Sequence, residues 1–128
     1  MLFRSTFNGY CFLAEVFVLK ALEDPSVFKE AEIACRAVMH FVTSFPICRP
    51  RAAVYEGWME WLRGNRSAAI ACWKRALKHA KKLDMPYDQA IALLLLAQHG
   101  KVPEAEGEAS ALLLRLGALP IGVGTRQP

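Results

Sequence analysis

At 128 residues, with 54% apolar and 22% charged side chains, the chain is long enough for one domain with its own core and too apolar to be a disordered tail. Sixteen Lys and Arg against twelve Asp and Glu give a formal charge of +4, short of the concentrated basic face expected of a nucleic-acid binder. The cysteines (Cys11, Cys35, Cys48, Cys72) and histidines (His40, His79, His99) lack the close pairs with which a short turn presents two ligands to zinc, so they predict reduced thiols in a cytoplasmic protein, with no metal and no cofactor.

The first apolar stretch, YCFLAEVFVLKAL (residues 10–22), is interrupted by Glu15 and Lys20 and falls well below the ~20 apolar residues of a membrane span. It reads as a buried helix rather than a signal peptide or an anchor. Asn8 or Gly9 opens this helix and EDPS (23–26) closes it, with Asp24 as N-cap and Pro25 at the first position of a second helix running toward Pro46. CRPR (48–51) starts a third helix, which Gly64 ends in a left-handed conformation. Asn65 is expected to cap a fourth helix that runs to about Leu83. DMPYD (84–88) repeats the proline start, Gly100 repeats the stop, and Pro103 begins a sixth helix that ends at Gly117. Residues 118–128 read as a flexible C-terminal tail. No segment alternates with period two, so the fold class is all-α.

Pro50, Gly64 and Ala69 recur thirty-six residues later as Pro86, Gly100 and Ala105. Start, stop and small packing residue at a fixed period predict a single domain over 1–117, in which three antiparallel helical hairpins (about 9–46, 50–83 and 86–117) stack as a short α-solenoid. The first hairpin follows the pattern least well, as terminal repeats often do.

Within the middle hairpin, Gly57, Ala69, Trp73 and Ala76, with LRGN at the turn, have the spacing of the small and aromatic positions of tetratricopeptide repeats. The chain resembles that family best over 50–86. Pro86 stands later than the family's usual proline, and Leu93 and Ala109 replace Gly57 and Trp73 in the next hairpin. LDMPYDQA (83–90) and LRLGA (114–118) also look like the C-terminal helical repeats of soluble-type class III nucleotide cyclases and ATPase-linked signalling proteins. That resemblance implies a regulatory, interaction-mediating region. The chain contains no GxxxxGK[ST] phosphate loop, so it is either a detached relative or a piece of a longer product.

Trp58, Trp61 and Trp73 then read as packing residues together with Gly57, Gly64, Ala69, Ala76, Gly100 and Ala105, Trp61 being the one best placed to line a groove. KRALKHAKK (74–82) reads as a solvated basic face whose last-turn cations oppose the helix dipole. No nucleophile has a base within reach, since Cys72 and His79 lie two helical turns apart, so the chain is expected not to be an enzyme. The expected function is a non-catalytic tetratricopeptide-type module that docks a protein or peptide on the face of its first helices, with Tyr55, Glu56, Arg63 and Gln98 as polar contacts. Two alternatives stand beside it: a packing segment of a longer repeat protein that self-associates, and a nucleic-acid binder using the basic helix.

Overall fold

The computed structural model describes residues 2–43 and 45–117, which form six α-helices and no strand. They are α1 (Leu2–Glu23), α2 (Phe28–His40), α3 (Arg49–Leu62), α4 (Arg66–Lys82), α5 (Pro86–His99) and α6 (Glu104–Arg115). Short 3-10 turns at Pro25–Val27 and Pro46–Cys48 lead into α2 and α3, and a third, Phe41–Thr43, follows α2. Residues 118–128, read from sequence as a tail, lie outside the described residues.

Each helix packs chiefly against its neighbours in the chain, and α3 also touches α1 and α5 directly. The ends follow local chemistry. The Asp24 carboxylate accepts from the Ser26 N–H at 3.0 Å, with Pro25 beside it. Pro50 and Pro86 occupy first turns of α3 and α5, where a missing N–H costs nothing. Gly64 (φ +90°) closes α3, and the next N–H, on Asn65, reaches back to the Glu60 carbonyl at 2.9 Å. Asp84 (φ 54°) closes α4 in the same way, with Met85 N–H on the Ala80 carbonyl at 2.9 Å.

Three sequence expectations about helix ends are corrected. Helix α1 begins at Leu2, not at Asn8 or Gly9; both residues are exposed, a Cβ at Gly9 would meet nothing, and one exposed glycine costs a helix only about 1 kcal/mol. Asn65 does not cap α4 with its side chain, because its amide donates to the Glu60 carboxylate at 2.9 Å. Gly100 does not take the left-handed turn at the end of α5; its φ is −93°, and Lys101 turns instead at 58°. A Cβ on Gly100 would lie 2.8 Å from the Leu96 carbonyl oxygen, so glycine is needed there for space.

The largest buried cluster draws Cys11, Ala14 and Val18 of α1 and Cys35 and Val38 of α2 together with Ala53, Trp58, Trp73, Ala76 and Leu95 of α3, α4 and α5. A second, between α5 and α6, contains Leu93, Leu94, Ala105, Ala109, Leu112 and Leu113, and Leu77 of α4 packs against both. The two hairpins solve one packing problem in opposite ways. At Gly57 and Trp73 the small residue is on the first helix and the large one on the second, whereas thirty-six residues on, Leu93 and Ala109 reverse the sizes, all four being buried. A close-packed interior demands that summed volume.

Candidate interaction surfaces

The three tryptophans and His99 form one aromatic group where α3, α4 and α5 meet. Trp58 and Trp73 are buried and meet edge to face, with ring centres 5.2 Å apart, and His99 lies 4.7 Å from Trp61 and 5.3 Å from Trp58. The Trp73 indole N–H donates to the Val54 carbonyl at 3.0 Å. Trp61 is half-buried, with the Arg66 guanidinium 4.1 Å above its ring. Burial, and then Arg66, lower the His99 pKa below its ordinary value. These rings are committed to packing.

On the face of the first helices, Arg51 of α3 donates to the Asp88 carboxylate of α5 at 2.6 Å. The pair borders a cleft of about 360 Å³ that Phe7, Asn8, Ile47 and Tyr87 also line. Arg51 is also 5.8 Å from the Tyr87 ring centre, and its Nε–H is buried without a protein acceptor.

On the first hairpin, Tyr10, Leu13 and Phe17 of α1 and Ile33, Ala34 and Ala37 of α2 line an apolar groove of about 280 Å³, with Glu30 the one charged residue among its described lining. Phe12 (69% exposed), Val16 and Ile33 (65%) extend the apolar surface. The reading of α1 as a buried helix is therefore corrected: Cys11, Ala14, Val18 and Ala21 form its buried stripe, and the opposite stripe is open. At the other end of the chain, α6 exposes Glu104, Glu106, Glu108 and Arg115 beside Leu114.

A third concavity, about 260 Å³, lies where the end of α2 meets α3 and α4. Its floor is Met39, Val42, Ala52 and Ala53, and its polar wall is Arg49, Glu56, Arg75 and His79.

Of the four residues expected to grip a partner, the fold buries one and pairs two others. Tyr55 is buried, with its hydroxyl donating to the Cys11 carbonyl at 3.1 Å, so it is not an exposed contact. Glu56 accepts from Arg75 at 2.6 Å, Arg63 pairs with Glu32 and Glu60, and Gln98 is exposed near the end of α5. Sequence reasoning passed over Arg51 and Asp88, although opposite charges in the first turns of helices that the repeat sets side by side were a usable signal. It also passed over Arg49 as a partner to the basic helix, because nothing local links residue 49 to residue 79.

Among the described residues, no helix is long and apolar enough to cross a membrane, and no group of three His, Cys, Asp or Glu could hold a metal ion. No family model, curated protein or solved structure matches the chain.

Proposed function

We propose that this chain is a non-catalytic interaction module of tetratricopeptide type that docks a helical protein surface through the outer face of its first hairpin. The observation that carries the reading is the apolar groove of the first hairpin: α1 and α2 leave Phe12, Leu13, Val16 and Ile33 exposed around it, whereas α6 sets its exposed Leu114 among three outward glutamates and an arginine. Repeat stacks need polar outer faces where they end. Among the described residues the wider apolar face lies on the first hairpin, although α6 and its C-cap also expose Leu114 and Leu116; such a face suits another helix, and a groove between two helices takes an amphipathic one along its length.

The docking face is thus assigned to residues 10–17 and 30–37 rather than to Tyr55, which is buried, Glu56 and Arg63, which are paired elsewhere, and Gln98, which lies exposed on α5. The non-catalytic part is supported by the thiols. All four are buried, and burial raises Cys11 to about 11 and Cys35 to about 12, which keeps both protonated and unreactive. The likeness of 83–90 and 114–118 to regulatory repeat regions of cyclase-type signalling proteins agrees with a docking role.

Light scattering over a concentration series tests the assignment, because in isolation the only helical surface available is a second copy. The chain should self-associate as concentration rises, and Leu13→Lys combined with Ile33→Lys should return it to a monomer with unchanged helical circular dichroism. A wild-type chain that stays monomeric throughout, or a double variant that still associates, contradicts it.

A further inference from the structure

The cleft between α2, α3 and α4 brings together Arg49, Arg75 and His79, of which Arg75 is paired with Glu56. Arg49 opens α3, and Arg75 and His79 stand one turn apart on α4. Lys78 and Lys82 are near enough to act on His79, which burial, and then Arg49, Arg75, Lys78 and Lys82, hold below its ordinary pKa. Among the described residues the one acid in the wall is Glu56, and it is engaged by one Nη of Arg75, which also lies 3.7 Å from the Cys72 sulfur. Arg49, Lys78 and Lys82 have no ion-pair partner among the described residues. Burial disfavours any charge there, but the part of the shift owed to Arg49, Arg75, Lys78 and Lys82 is a positive potential, which favours an anion beside His79.

We propose that this cleft binds a phosphate monoester group, held by Arg49, Arg75 and His79 over the floor of Met39, Val42, Ala52 and Ala53. Size and charge select that ligand. The cleft, about 260 Å³, is smaller than the ~300 to 1,000 Å³ of pockets that enclose a drug-sized molecule, so it takes one group and leaves the rest of the ligand outside. A monoester carries nearly two negative charges and three acceptor oxygens, which suits two guanidinium forks and an imidazole better than a single carboxylate does. Arg49, Arg75 and His79 line one concavity. A nucleic-acid backbone would need them spread along a track.

The test is a titration of the full chain with inorganic phosphate, phosphoserine and adenosine monophosphate against sodium chloride at equal ionic strength, following the His79 ring protons by NMR. Inorganic phosphate should shift His79 saturably and raise its pKa. Arg49→Gln should weaken binding about fivefold or more, as loss of a charge-assisted contact does, while Arg115→Gln on α6 should leave it unchanged. Tighter binding of phosphoserine identifies the source as a modified side chain, tighter binding of the nucleotide a small metabolite, and both sustain the site. No saturable shift beyond that with chloride overturns the proposal, as does unchanged affinity in Arg49→Gln. A short DNA duplex that moves His79 when the three phosphates do not would also overturn it, by giving the cleft to nucleic acid.

Discussion

Gly57 shows how one residue sets the distance between two helices. A Cβ there would lie 2.7 and 2.9 Å from Cδ1 and Cε2 of Trp73, and the indole cannot retreat because its N–H is held on the Val54 carbonyl. Helix propensity alone says that Gly57→Ala should gain about 1 kcal/mol. Overpacking in a closed core costs about 1 to 3 kcal/mol, so we expect a net loss of stability, read as a lower urea midpoint at unchanged m-value. The glycine was legible in the sequence through its spacing to Ala69 and Trp73. What could not be read was the fate of Tyr55 two residues earlier, since only the fold reveals that the Cys11 carbonyl of α1 comes down onto its hydroxyl.

His99 makes a second residue-scale prediction. Burial among tryptophans, then Arg66, lower its pKa in the folded chain, so between that value and the ordinary ~6.5 the unfolded chain binds more protons. Stability should therefore fall as pH drops through about 6.5 and level off below the folded pKa. His79 acts in the same direction. Thermal melts between pH 7.5 and 5.5 should show this loss, and His99→Gln should reduce it; a melting temperature independent of pH over that range would show that His99 is not held neutral by its surroundings.

At the scale of elements, the Arg51–Asp88 pair ties α3 to α5 across the face of the first helices. Burial opposes the Arg51 charge, and Asp88 more than offsets it, so the arginine stays firmly protonated. Removing one member of a buried pair leaves the other unpaired, so Asp88→Ala should cost about 3 kcal/mol, and pairing it with Arg51→Met should recover part of that loss in a double-mutant cycle. Additive losses would mean the contact carries no coupling. Helix identity was legible from proline starts and apolar spacing, because those depend on neighbours in sequence. The ends were less legible. Gly64 makes its turn by handedness, but at Gly100 the Leu96 carbonyl requires the small residue and Lys101 makes the turn, and no local pattern distinguishes those two uses of glycine. Nor does composition mark which stripe of α1 is covered, since Phe12 and Val18 are equally apolar and only Val18 is buried.

For the whole molecule, the recurrence of Pro50, Gly64 and Ala69 at Pro86, Gly100 and Ala105 captured the pairing of α3 with α4 and of α5 with α6, and the size exchange at Gly57/Trp73 and Leu93/Ala109 carries it into the core. The surfaces were legible only in part, because each draws on helices distant in sequence. Two of them divide the labour that we infer, the apolar groove of α1 and α2 for a helix and the basic cleft of α2, α3 and α4 for a phosphate group. The central claim is that the first hairpin is the docking face. Amide hydrogen exchange of the full chain at low and high concentration tests it most directly, since it maps where a second copy settles. Added protection confined to residues 10–17 and 30–37, with α6 unchanged, is expected; protection gained on α6 or along the Arg51–Asp88 cleft instead, or nowhere, would rule the first hairpin out as the docking face.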